Sequence, residues 1–335
     1  MKIAILAPVA WRTPPRHYGP WEQIASNLAE GLVDKGIDVT LFATVDSITK
    51  GHLEAVVEKG YEEDATQDAK VLECLHISNL MEQADSFDLI HNHFDFLPLT
   101  YSKLINTPMI TTIHGFSSEK IVQVYQKYNN NCYYAAISDA NRHPMLQYLG
   151  TVYNGLNTNH FTFNGQPEDY LLFFGRIHPD KGTAEAIQIS KQSNRRLIIA
   201  GIVQDKGYFE KEIEPLLNDD IIFIGAAGPE KRNELMGKAY ALLHPINFDE
   251  PFGLSVAEAM LCGTPVIAFN RGSMPELIKD KVTGFLVDDV AQATAVVAKV
   301  REINRKNCRD WAISKFSTAK MVEDYITLYH QILKT

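Results

Sequence analysis

Two glutamates eight positions apart, Glu250 and Glu258, bracket the run Pro251-Phe252-Gly253-Leu254-Ser255-Val256-Ala257. An apolar helix is expected to follow, carried by Val256, Ala257, Met260 and Leu261. Gly253 permits close approach of the backbone to a ligand. A helix starting there aims free N–H groups and its positive dipole end at an anion. Glu258, about a turn inside, is placed to accept hydrogen bonds from ligand hydroxyls, with Glu250 in the loop beside the anion. The alternative is a pair of carboxylates favoured only by the helix dipole. Against it, Glu258 between Ala257 and Met260 is a near-core charge, and a buried charge needs a partner.

A second constellation is Gly175-Arg176-Ile177-His178-Pro179-Asp180-Lys181-Gly182. Arg176 leaves a strand end and Lys181-Gly182 precede a helix. Two cations five positions apart on one loop suit the flanking of a diphosphate, Arg by its planar fork and Lys as a point charge. A solvated loop is the other reading. Tyr18-Gly19-Pro20-Trp21-Glu22 follows a long loop, and the Gly19 N–H is expected to face a phosphate. An ordinary helix entry, with Pro20 near the first position and Glu22 in the first turn, is compatible with that. His114-Gly115 ends a strand, where an imidazole either hydrogen-bonds a substrate or serves as a satisfied structural residue. His91 and His93 are expected on opposite sides of their strand, with one facing the ligand. Their spacing does not suit a metal site. Asn154-Gly155 reads as a turn, and Ser273 and Glu276 as capping residues. No G-x-S-x-G elbow and no G-x-G-x-x-G is present, which argues against an α/β-hydrolase and a nicotinamide dehydrogenase.

The elements that must position these residues are legible as short apolar runs alternating with helix-period segments. Strands are expected over 2–7, 38–43, 88–93, 109–114 and 133–138, with helices over 21–36 and 71–84 and a polar, acidic stretch from 44 to 68. An Asn- and Gly-rich linker over 154–169 precedes a restart at Tyr170. Strands over 170–175, 196–201, 221–225, 239–245 and 264–269 continue it. The last segment, 321–333, is helical, with Ile326, Tyr329 and Ile332 on one face. The alternation predicts an α/β protein of two Rossmann-like, doubly wound parallel-sheet domains facing across a cleft. The expected domains are 1–153 plus a C-terminal helix at about 317–335, and 165–316.

The 335 residues carry a net charge of −9, of which −7 lies in residues 1–150. Nucleic acid wants a basic footprint and an anionic membrane surface wants clustered Lys and Arg, so neither partner is favoured. The basic run Lys299, Arg301, Arg305, Lys306 and Arg309 is expected to be a solvated helix face. Four dispersed cysteines predict buried free thiols in a reducing, cytoplasmic compartment. No apolar run reaches the ~20 residues of a membrane span.

These residues, in this order, resemble the retaining nucleotide-sugar glycosyltransferases of family 4, with the GT-B fold. LLFFGRIHPDKG, IIFIG, HPINFDEPFGLSVAEAMLCGTPVIAFNRGSMPELI and TGFLVDD carry the resemblance in the second half. YGPWEQIASNLAEGLVDKG, FDLIHNHFD, ITTIHGF, AAISDANR and TVYNGLNTNHF carry it in the first. The resemblance implies a UDP-, GDP- or ADP-linked sugar as donor substrate, a saccharide, small-molecule or lipid-linked acceptor, and no further cofactor or metal. Arg176 and Lys181 would hold the diphosphate, joined by backbone N–H groups near Phe252, Gly253 and Leu254 and at Gly19. Glu258 would hold the ribose, Ile224 and Gly225 would lie by the base, Glu250 near the donor sugar, and His114 at the reacting centre. Many members have Gly-Gly where this chain has Gly19-Pro20, and Pro20 has no N–H. A phosphorylase or a sucrose/trehalose-type synthase would share this site. A non-catalytic two-domain binding protein would have no need of Glu258.

Overall fold

The first strand explains the first sheet. β1 (Lys2–Leu6) is apolar on both faces, and Ile3 to Leu6 are fully buried, as a central parallel strand requires. The computed structural model describes residues 1–334. They divide into two units, Met1–Leu156 with the segment from Thr318 on, and Asn157–Ser317.

In the first unit, β1 is followed by α1 (Pro20–Asp34), β2 (Asp38–Thr44), β3 (His52–Val57), α2 (Ala69–Met81) and β4 (Leu89–Asn92). Then come β5 (Met109–Ile113), α3 (Val122–Tyr128), β6 (Tyr133–Ala136) and β7 (Tyr148–Thr151). The sheet order is β3-β2-β1-β4-β5-β6-β7, parallel throughout.

The second unit holds β8 (Tyr170–Phe174), α4 (Thr183–Ser193), β9 (Arg196–Ala200), the single turn α5 (Lys206–Tyr208) and β10 (Ile221–Phe223). It continues with α6 (Pro229–Lys238), β11 (Ala241–His244), α7 (Leu254–Leu261), β12 (Val266–Phe269), α8 (Met274–Leu277), β13 (Gly284–Val287), α9 (Val290–Val297) and α10 (Arg305–Phe316). Its parallel sheet has the order β10-β9-β8-β11-β12-β13. Strand order reverses between β1 and β4 in the first sheet and between β8 and β11 in the second. Such reversals leave the crevices where open α/β sheets bind ligands.

α11 (Thr318–Ile332) returns to the first unit and packs on α1. The expected limit of 335 for this helix lies outside the described residues. Its buried face is Met321, Val322, Tyr325, Leu328, Tyr329 and Ile332, while Ile326 is only half-buried. Asn154-Gly155, expected as a turn, is a buried seam for it. The Gly155 N–H donates to Met321 Sδ at 3.0 Å, and its carbonyl accepts from Asn27 Nδ2 at 2.8 Å.

Three expectations fail. The stretch 44–68 contains β3, an edge strand whose residues are half-buried or exposed up to the buried Val57. The basic run is not a solvated face. Lys299, Arg301 and Lys306 are exposed, but Arg305 is buried and donates to the carbonyls of Asn164, Gly237 and Ala239 at 2.7, 2.6 and 2.9 Å and to Thr264 Oγ1 at 2.6 Å. Arg309 donates to the Phe161 carbonyl at 2.9 Å. The end of α6 and the loop before β8 leave carbonyls that a guanidinium fork satisfies. Cys74 is exposed on α2, and only Cys132, Cys262 and Cys308 are buried thiols. No helix among the described residues is long and apolar enough to cross a membrane.

Gly31 lies where α1 meets α11, and a Cβ there would fall 2.5 Å from Val322 Cγ2. An exposed helix would gain about 1 kcal/mol from losing a glycine. Here overpacking, at roughly 1–3 kcal/mol, outweighs that gain. Gly31→Val is therefore expected to lower Tm, and an unchanged or raised Tm in calorimetry would refute the close packing of α1 on α11.

Candidate functional site

The second unit builds its site at the reversal between β8 and β11. Gly175 and Arg176 leave β8, and the Arg176 guanidinium is held by Gln204, a partner the sequence did not reveal. Lys181 closes a tight turn ahead of Gly182, whose φ is 74°. A Cβ at Gly182 would lie 1.8 Å from the Pro245 carbonyl oxygen, so only glycine lets this loop meet the end of β11. Asn247 laces the two loops together, its N–H donating to the Asp180 carbonyl at 2.7 Å and its amide to Glu185 at 2.8 Å.

That lacing sets Lys181 against Glu250 in a well-buried ion pair, with the ammonium also 4.6 Å from the centre of the Phe248 ring. Glu250 is fixed from behind. Its carbonyl accepts from the Ser273 N–H at 3.0 Å, and Ser273 Oγ donates to the Phe252 carbonyl at 2.6 Å. Ser273 thus ties down the loop rather than capping α8 with its side chain. His244, at the end of β11, is buried with Nε2 3.8 Å from Glu250 Oε2. Burial pushes its pKa down to about 4, with Glu250 opposing and Lys181 assisting.

Gly253 has φ 92° and leads directly into α7, which no side chain caps. The first N–H groups of the helix therefore point out of the loop that carries Glu250. Glu258, one turn in, is buried to 6% exposure, and burial raises its pKa. Its partner is Arg232 of α6, with Nη1 3.0 Å from Oε1. The near-core carboxylate thus has the counter-charge it requires, supplied from 26 positions upstream where nothing in the local pattern marks it. Ile224 is exposed and Gly225 turns the chain with φ 73°. The strand expected over 221–225 stops at Phe223, although the Ile224 N–H still reaches the Ile199 carbonyl at 3.0 Å.

The first unit gathers its residues at the reversal between β1 and β4. Gly19 stands at the start of α1 with φ 145°. Its missing Cβ would crowd Pro15 Cβ at 2.9 Å and Glu22 Oε2 at 3.0 Å. Glu22 is buried rather than a solvated first-turn acid, and burial pushes its pKa up to about 7. Trp21 stacks on the His114 ring, with centroids 5.3 Å apart and planes 19° apart.

His91 and His93 are not on opposite sides. Residues two apart on an extended chain share a face, and their ring centroids lie 4.2 Å apart. Asn92 points the other way, to Thr111 Oγ1 at 3.1 Å. His93 Nδ1 is 3.0 Å from His114 Nε2. His91 is held by Tyr329 of α11 at 2.6 Å and by Thr112 at 2.7 Å. Burial lowers the pKa of all three rings, that of His114 to about 3. Beside them Asp95 adopts φ 125°, accepts from the Tyr125 hydroxyl at 2.6 Å, and is raised to about 6 by burial.

These shifts predict an acid response. An unfolded histidine takes a proton near pH 6.5, whereas His76, His91, His93 and His114 of the first unit resist it. Their contribution is present above pH 6.5 and is lost as pH falls toward the folded values. Glu22, Glu73 and Asp95 act oppositely, since burial raises their pKa and they keep a proton to higher pH than the unfolded chain does. Three carboxyls do not outweigh four imidazoles, and each net proton is worth about 1.4 kcal/mol per pH unit. Trp311→Phe leaves Trp11 and Trp21 as reporters of the first unit. Its melting temperature by fluorescence is expected to fall between pH 6.5 and 5, and a flat or rising profile contradicts the burial of these rings.

Residues 158–315 match the family model described as glycosyl transferases group 1. Over 98% of each chain, the protein is 24% identical to an uncharacterized glycosyltransferase of Methanocaldococcus jannaschii. The sucrose-phosphate synthase of Thermosynechococcus elongatus aligns over 100% of both chains with a TM-score of 0.81 and 18% identity. The Anabaena protein HepE in complex with UDP aligns over 99% of this chain and 100% of its own, with a TM-score of 0.74 and 19% identity.

Proposed function

We propose that this chain, which has the GT-B fold and whose second unit is a group 1 glycosyltransferase domain, moves a sugar from a nucleoside diphosphate sugar to an acceptor hydroxyl with retention of anomeric configuration. The observation that carries this reading is the Lys181–Glu250 pair lying beside the uncapped start of α7 at a strand-order reversal. A cation, a carboxylate and a free helix N-terminus on one loop system suit a diphosphate next to a polyhydroxylated group. The HepE structure with UDP-glucose supports a donor of that class.

In this reading Arg176 and Lys181 bind the diphosphate, with the N–H groups of Phe252, Gly253, Leu254 and Gly19. Glu258, whose Oε1 is held by Arg232, offers Oε2 to the ribose hydroxyls. Ile224 and Gly225 lie by the base, Glu250 takes hydroxyls of the sugar, and His114 meets the sugar as a neutral imidazole. As the bond from the sugar carbon to the diphosphate breaks, negative charge grows on the leaving oxygen. Fixed positive charge and helix dipole stabilise it without reorganisation. The acceptor oxygen bonds to the same face of the carbon, and its proton passes to the departing phosphate oxygen. That positive charge comes from side chains and N–H groups, so the transfer is metal-independent.

Lys181→Ala is expected to weaken the binding of a nucleoside diphosphate at least tenfold, about 1.4 kcal/mol, in titration calorimetry. Unchanged affinity contradicts the diphosphate assignment. Glu250→Ala is expected to depress kcat more than nucleotide affinity, and a pure binding loss reduces Glu250 to a scaffold. Product anomers read by NMR test retention, and turnover that survives a chelator tests metal independence. Sugar transfer to inorganic phosphate would instead identify a phosphorylase.

A further inference from the structure

We propose that His93 is a positioning residue that donates its Nδ1–H to His114 Nε2 and so holds His114 in the tautomer that presents Nδ1–H to the sugar. The inference deepens the proposed function and rests on its placing of His114 at the sugar.

The two nitrogens are 3.0 Å apart, so one hydrogen lies between them, and either ring is able to supply it. Burial decides which. His93 is fully buried, and its Nε2 has no hydrogen-bond partner. If His114 were the donor, His93 would carry its own hydrogen on Nε2, as a buried N–H with no acceptor. An orphaned buried donor loses its hydration with nothing in return and is the rarer kind of unsatisfied group. If His93 donates through Nδ1, its Nε2 keeps only an unpartnered lone pair. Neither ring escapes by charging, since burial holds both neutral, assisted at His93 by the neighbouring imidazoles.

His114 has then lost the use of Nε2, and its hydrogen sits on Nδ1. Trp21 covers one ring face and His93 occupies the Nε2 edge, so Nδ1–H is the polar group left to meet a ligand. A neutral N–H donor there is chemically apt. It hydrogen-bonds a sugar oxygen without placing a cation beside a sugar that becomes electron-poor as its leaving group departs. His93 is itself held from behind by the ring of His91, which Tyr329 and Thr112 fix through both nitrogens. Second-layer contacts of this kind select the tautomer that a functional imidazole displays.

The test uses the full chain with ¹⁵N-labelled histidine. The His114 signals are assigned through His114→Gln, and the protonated nitrogen is read from the ¹⁵N–¹H pattern. The expected result is His114 with hydrogen on Nδ1. His93→Phe is expected to scramble the tautomer and to lower kcat roughly tenfold or more, while nucleoside diphosphate affinity stays unchanged. His93→Asn, whose amide N–H sits where Nδ1–H did, is expected to restore the tautomer and most of the lost kcat. A His114 protonated on Nε2 overturns the inference, as does a His93→Phe variant with unchanged tautomer and kcat. Where His93→Phe fails to fold, the wild-type and His93→Asn spectra still decide the tautomer. An unaffected kcat in His114→Ala overturns instead the placing of His114 on which the inference rests.

Discussion

Where a parallel sheet reverses its strand order, the chains leaving two neighbouring strands turn to opposite faces and nothing covers the gap between them. The protein meets this condition once in each sheet, at β1 beside β4 and at β8 beside β11. The residues with chemical potential are those that the reversals strand at these ends. Gly19 follows β1, His93 follows β4, Arg176 follows β8, and His244 closes β11 with Glu250 in the loop beyond. The glycines that look like phosphate-binding devices in a one-dimensional reading are first of all devices of close packing. At position 182 only glycine fits, because the Pro245 carbonyl occupies the space a Cβ would take.

Burial then dictates how the polar groups at these ends are partnered. Glu258 is tolerable inside the second unit because Arg232 reaches it, and Glu250 because Lys181 does. The first unit solves the same problem without charge. Its three clustered histidines stay neutral, and hydroxyls of Tyr329, Tyr325 and Thr112 complete their network. One cluster therefore matches carboxylates with cations, and the other is built of neutral rings and hydroxyls.

Much of this was legible in the sequence, for a physical reason. Parallel strands buried on both faces are nearly continuous apolar runs, and β1, β8 and β9 are unmistakable as such. The strands that escaped notice, β3, β7 and β13, all lie at sheet edges, where one flank is unpaired and apolar continuity is not required. Glu250, Glu258, Arg176 and Lys181 stood out because charge next to small residues and helix starts is costly unless used. Their partners did not. Arg232, Gln204 and the His93–His114 contact depend on which strand lies beside which, and that is a property of the packed sheet. The reading of Arg305 and Arg309 as solvated failed for the same reason, since the carbonyls they satisfy come from distant segments.

The return of α11 to the first unit bears on the order in which the molecule can be completed. Chains emerge from the ribosome N-terminus first, and domains generally fold as they appear. Here the second unit has all of its residues once Ser317 is made, whereas the first still lacks the helix that covers α1 and holds His91. The first unit to be translated is thus the last to be finished. Until α11 arrives, His91 lacks Tyr329 and Gly155 faces no methionine, so the apolar flank that α11 buries stays open on the nascent first unit.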